Sequence, residues 1–206
     1  MTSEMQNLLH EAKKGGAPEK GKLLSLYANY LKIIAQSQLD RRIRRRVSPS
    51  DLVQETLLEA HRDFSDFRGL TSAEFIGWLR RILVHNLIRV TEKHLQADKR
   101  DVRREVYIHR FHASVEHSNS QLEHVLAGRF ESPSKELGRH ERMRLLADAI
   151  AELSDEKRQV IVLRHIEGLP FAEIASQMER TSGACRMLWL RAMDQLRFSL
   201  EGAEFE

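Results

Sequence analysis

Apolar residues along this chain recur mostly at three- and four-residue steps, the spacing that gathers them on one face of an α-helix. Leu23, Leu24, Tyr27, Leu31, Ile34 and Ala35 mark a first amphipathic helix that runs on towards Leu39. Ser48-Pro49-Ser50 stops it and starts a second, with Pro49 or Ser50 at the helix start and Asp51 adding favourable charge to the first turn. Leu52, Val53, Thr56, Leu57 and Ala60 form the buried stripe of that helix, which ends near Phe64. Phe67-Arg68-Gly69 makes a turn. Ser72-Ala73-Glu74 then opens a long third helix through Phe75, Trp78, Leu79, Ile82, Leu83, Asn86, Leu87 and Val90, as far as His94.

The flanks read differently. Residues 1–22 are polar, contain Gly15-Gly16-Ala17-Pro18, and are expected to form a loop or frayed lead-in. Residues 101–136 are charged and serine-rich, and apart from a helical start over 101–111 they read as a flexible tether. A second helical region, 137–199, follows before a short tail, 200–206. Its first helix uses Met143, Leu146, Ala147 and Ile150; its second uses Val160, Ile161, Leu163 and Ile166. Gly168 suits a left-handed C-cap, and Pro170 lies at the start of the next helix. The pattern predicts an all-α chain with two small helical domains, 23–100 and 137–199, joined by a flexible linker.

Within the second domain, Phe171–Met178 reads as a short helix, followed by a tight corner and a longer basic helix from Thr181 or Ser182, either of which can cap it. This is the helix-turn-helix arrangement that sets one helix across a DNA backbone and the next in the major groove. Leu188, Leu190, Ala192, Met193 and Leu196 are expected on the buried side of the last helix, with Cys185 and Trp189 as packing residues. Ser182, Arg186, Met187 and Arg191 are the candidates for its reading face. An arginine there can clamp a phosphate, pair with guanine, or remain a solvated charge, and the spacing does not choose among these.

Bulk composition narrows the classes. A single cysteine excludes an internal disulfide and a cysteine cluster for zinc, which points to a reducing cytoplasm. No stretch approaches eighteen apolar residues, so neither a signal peptide nor stable membrane insertion is expected. Net charge is +3, but residues 1–100 hold 18 Lys/Arg against 12 Asp/Glu while the remainder holds 15 against 18. That balance fits either weak nucleic-acid affinity shared between sites or plain solubility. Ten histidines form no compact ligand motif, so no metal, cofactor or catalytic group is expected.

The block Asp51–Ala60, then Phe64-Ser65-Asp66-Phe67-Arg68-Gly69, then Glu74–Ile82, resembles bacterial RNA polymerase sigma factors of the extracytoplasmic-function type. The resemblance covers about 20–100 and 137–198. It implies core RNA polymerase and promoter DNA as partners, with an anti-sigma protein as a candidate third. It implies that Asp51, Gln54, Glu55 and Leu58 face the clamp of the largest polymerase subunit; a solvated helix face is the alternative reading of the same spacing. Phe67, Arg68 and the Leu70-Thr71-Ser72 loop resemble the segment that receives a flipped base at the −10 element. Arg80, Arg81, Asn86 and Arg89 then suit the separated strand. Phe75 and Trp78 lie on the apolar side and are expected in the core. Basic residues Arg41, Arg42, Arg44, Arg45 and Arg46, and Lys93, Lys99, Arg100, Arg103 and Arg104, extend the positive surface or solvate it. The helix pair at 170–192 is expected at the −35 element. The rival is a stand-alone helix-turn-helix regulator, which leaves the Asp51–Arg81 block without a purpose.

Overall fold

The computed structural model describes residues 2–39, 46–95, 113–118, 120–121 and 136–203, and helices joined by short turns make up almost all of them. The polar N-terminus is not a loop. Helix α1, Thr2–Lys13, buries Met5, Leu9 and Ala12, and Gly15 at φ 105° ends it. Three apolar residues at four- and three-residue spacing suffice for a docked helix, and the Gly-Pro signal marks only the corner. Pro18 lies in the first turn of α2, Ala17–Ser25, where its missing N–H costs nothing.

The helix expected from Leu23 to Leu39 is two segments, α2 and α3, Ala28–Gln38, separated by a break at Tyr27 with φ −101° and ψ 1°. Buried side chains at Leu23, Leu24, Tyr27, Tyr30, Leu31, Ile33, Ile34 and Ala35 span more than one face of a straight helix. The break re-aims the second segment so that both sets are covered.

Helix α4, Pro49–Arg62, starts at Ser48, whose Oγ accepts the Asp51 N–H at 3.0 Å. Its buried stripe is Leu52, Val53, Thr56 and Ala60. A 3₁₀ turn, Phe64–Asp66, leads through residues 67–71 into α5, Ser72–Leu95. Thr71 and Glu74 form a reciprocal cap: Thr71 Oγ1 accepts the Glu74 N–H at 3.2 Å, and Glu74 accepts the Thr71 N–H at 3.0 Å. Phe64, Phe67, Phe75 and Trp78 pack with ring centroids 5.3 to 6.3 Å apart, which puts Phe75 and Trp78 in the core as expected.

In the C-terminal region, α6, Glu136–Glu152, is followed by α7, Asp155–Ile161, which loosens into a π-turn over Val162–Ile166. Arg158 ties α7 to the end of α6 by donating to the carbonyls of Ala151 and Leu153, each at 2.7 Å. Gly168 holds φ 70°, the left-handed cap expected of it. Helix α8, Phe171–Met178, and α9, Ser182–Ala203, flank a corner in which Glu179 adopts φ 54° and ψ 42°. Thr181 Oγ1 accepts the Ala184 N–H at 3.2 Å and caps α9. Cys185, Ala192, Met193, Leu196 and Leu200 form its buried side; Leu190, expected there, is exposed because it lies on the opposite edge of the helical wheel.

The two helical regions touch. Helix α3 packs on α6, and Asn29 Nδ2 donates to Asp148 Oδ1 at 2.8 Å. Of the segment expected to be a tether, residues 113–118 are helical and docked, with Val115 and Ser118 buried. The remainder of the 101–136 segment, apart from 120–121 and the α6 residue Glu136, lies outside the described residues, as do Arg41, Arg42, Arg44, Arg45, Lys99, Arg100, Arg103 and Arg104.

Candidate nucleic-acid interface

The buried stripe of α4 dictates what its other side presents. Asp51, Gln54 and Glu55 are exposed, and Leu58 is 72% exposed among them. An uncovered leucine between polar groups leaves apolar area in water that a docked partner would remove. Glu55 also reaches across to α5, where Arg89 donates to it at 2.9 Å and to Glu59 at 2.6 Å. The Glu59 hydrogen bond is the largest cause that raises the Arg89 pKa above its ordinary value.

Residues 67–71 are held from both ends. Phe67, expected to receive a base, is instead 6% exposed within the aromatic cluster. A Cβ on Gly69 would lie 2.5 Å from the Phe67 ring and 2.7 Å from Glu74 Cβ, so only glycine permits this close approach. Lys13 donates to the Gly69 carbonyl, and its ammonium sits 5.2 Å from the Phe67 ring centroid. The Leu70 N–H, then the Thr71 hydroxyl and N–H, hold the Glu74 carboxyl below its ordinary pKa. Arg68, Leu70 and Thr71 are left facing solvent, Leu70 being 77% exposed.

Along α5 the four expected strand-binding residues separate. Arg81 is exposed. Arg80 points inward, donating to the Tyr30 hydroxyl at 3.3 Å and lying 3.0 Å from Glu116. Asn86 is fully buried: its Nδ2 donates to Thr56 Oγ1 at 3.1 Å and its Oδ1 accepts from Arg89 at 2.6 Å. Phe67 and Asn86 are therefore interior residues in this conformation: the Phe67 ring packs on Phe64, Phe75 and Trp78 ahead of α5, and Asn86 lies on the side of α5 that faces Thr56. His85, not singled out from the sequence, is exposed on the line Arg81, His85, Arg89, Lys93; its four-residue spacing was the available signal.

At the C-terminal pair, Arg186 and Arg191 are exposed, Met187 is 52% exposed and Ser182 is half-buried at the start of α9. The Arg186 guanidinium lies 5.5 Å and that of Arg164 5.0 Å from the Phe171 ring centroid, so the first residue of α8 braces both cations. Trp189 Nε1 donates to His165 Nε2 at 2.9 Å, which ties α9 to the π-turn. Arg180, also missed from sequence, pairs with Glu156 in the corner. Among the described residues no group of three or more His, Cys, Asp or Glu could hold a metal, and no helix is long and apolar enough to cross a membrane.

A family model, sigma-70 region 4, matches residues 143–196, which run from within α6 into α9. The extracytoplasmic-function RNA polymerase sigma-E factor of Haemophilus influenzae is 27% identical over 196 residues, covering 95% of this chain and 95% of its own. Over nearly its whole length the chain is thus similar to an extracytoplasmic-function sigma factor. The sigma-E factor of Escherichia coli is 28% identical over 71% of this chain and 70% of its own, and the RNA polymerase sigma-H factor of Pseudomonas aeruginosa 28% over 73% and 72%. The region 4 match falls on the same stretch of chain that carries the Phe171-braced arginines.

Proposed function

We propose that this protein is a sigma factor that directs core RNA polymerase to specific promoters and stabilises the opened DNA, while the core enzyme supplies the nucleotide-transfer chemistry. The observation that carries this reading is the Leu58-centred face of α4, which a stand-alone DNA reader does not need. Asp51, Gln54, Glu55 and Leu58 dock on the polymerase clamp, with Leu58 as the apolar centre and the polar groups setting orientation. Arg68, Arg81 and Arg89 meet the opened −10 strand; Phe67 and Asn86 support that surface from beneath, and Arg80 joins it after rearrangement. Helices α8 and α9 act as a helix-turn-helix at the −35 element, read through Ser182, Arg186, Met187 and Arg191. Residues 23–100 and 137–199 are the two working domains, and the segment between them links their action on one polymerase. The setting is cytoplasmic, and an anti-sigma protein is a candidate regulator.

Leu58→Asp tests the docking face. Because Leu58 is 72% exposed, the variant should melt at the wild-type temperature, while its affinity for sigma-free core polymerase falls at least ~10-fold as a charge enters the apolar contact. Wild-type protein that binds duplex DNA tightly but neither binds core nor supports initiation would make it a stand-alone regulator instead.

A further inference from the structure

Arg80 has a side chain only 15% exposed, although it lies on the helix assigned above to the opened strand. Its Nη1 donates to the Tyr30 hydroxyl at 3.3 Å, and its Nε lies 3.0 Å from the Glu116 carboxylate. Glu116 comes from the short helical stretch at 113–118, whose seating is specific. Val115 is 1% exposed, Ser118 is 3% exposed, and the Ser118 hydroxyl lies 3.1 Å from that of Ser37. Gln38 Nε2 donates to the Ser118 hydroxyl at 2.9 Å and to the Ser114 carbonyl at 3.4 Å.

We propose that residues 113–118 form an intramolecular latch that occupies Arg80 with a carboxylate where a DNA phosphate would otherwise bind. The inference rests on the reading of α5 as the strand-binding helix. Carboxylate and phosphate oxygens offer a guanidinium the same charge-assisted acceptors, so the two compete for one site. The Glu116 side chain is 56% exposed, so the ion pair alone is weak and screened by salt. Burial of Val115 and the Ser37–Gln38–Ser118 hydrogen bonds hold the stretch in place, and its attachment to the same chain keeps its effective concentration high. A latch built this way closes in the free protein and yields when the segment is drawn off α3. It disfavours capture of stray single-stranded nucleic acid by sigma factor that has not met polymerase.

The Ser37 and Ser118 hydroxyls are close enough for the pair Ser37→Cys with Ser118→Cys to form a disulfide, and the natural Cys185 is fully buried. The probe is a short mixed-sequence single-stranded DNA carrying a fluorophore, titrated with the full chain at low salt. The reduced pair should bind it like wild type, and the oxidised pair about three- to tenfold more weakly. Glu116→Gln should bind about 1.5- to fivefold more tightly than wild type, the range expected for removing one partly exposed competing charge. Equal affinity of the oxidised and reduced forms overturns the latch. Initiation with sigma-free core, measured on the same reduced preparations, separates the two ideas. Initiation together with equal affinities rejects the latch alone, and no initiation by wild type rejects the promoter reading and the latch with it.

Discussion

Thr56 and Asn86 provide a sharp test of how the N-terminal helices are held together, because both side chains are fully buried and each satisfies the other. The Thr56 hydroxyl donates to the Leu52 carbonyl at 2.8 Å and so presents a lone pair to Asn86 Nδ2 at 3.1 Å. Thr56→Val keeps the volume but strands that amide donor in the interior, which costs about 1–3 kcal/mol. Asn86→Leu removes the donor and leaves the Thr56 oxygen still bonded to Leu52; Arg89 keeps Glu55 and Glu59. Its cost should be lower, about 1 kcal/mol. With both changes no polar group is left stranded, so the pair should cost less than the sum of the singles by about 1–2 kcal/mol. Urea denaturation of the free protein reads this as shifts in midpoint at constant slope. Additive effects, or a Thr56→Val variant as stable as wild type, would refute the reasoning. So would an Asn86→Leu protein of wild-type stability that fails to open promoters, since that would make Asn86 a DNA contact.

Three further outcomes follow from local geometry. Gly69→Ala forces the Phe67 ring or the Glu74 backbone to shift and should destabilise the protein by about 1–3 kcal/mol in a thermal melt; an unchanged melt would mean the approach is not tight. Glu74 has a folded-state pKa below its ordinary 4.5, so its contribution to stability is full above 4.5 and is lost as pH falls through the folded value. Glu74→Gln should therefore melt lower than wild type at neutral pH, with the gap closing under acid; a gap independent of pH would contradict this assignment. Glu179 sits in the left-handed region at φ 54°, so Glu179→Gly should stabilise the α8–α9 corner by about 0.5–1 kcal/mol, and a lower melting temperature would count against strain there.

The helices around Leu52–Ala60, Phe75–Val90 and Val160–Ile166 were legible because their buried residues keep helical spacing and their ends carry Ser48, Ser72-Ala73-Glu74 and Gly168. Helix α1 was not legible, since Met5, Leu9 and Ala12 are too few to stand out before their packing partners are known. Exposure was legible for Asp51, Gln54, Glu55 and Leu58, which lie opposite a clear stripe. It was not legible for Phe67 and Asn86. An asparagine on the margin of an apolar stripe reads the same whether it meets solvent or a threonine on the next helix. The docking of 113–118 depends on contacts with Ser37, Gln38 and Arg80, which are distant in sequence, and no local pattern announces them.

Addition of the purified protein to sigma-free core RNA polymerase on genomic DNA from the source cell, with the 5′ ends of the transcripts mapped, tests the central claim most directly. The account predicts initiation at discrete sites that share upstream sequence at the −35 and −10 positions, lost with Leu58→Asp. Transcripts that are absent, or that start without a shared upstream sequence, would contradict it.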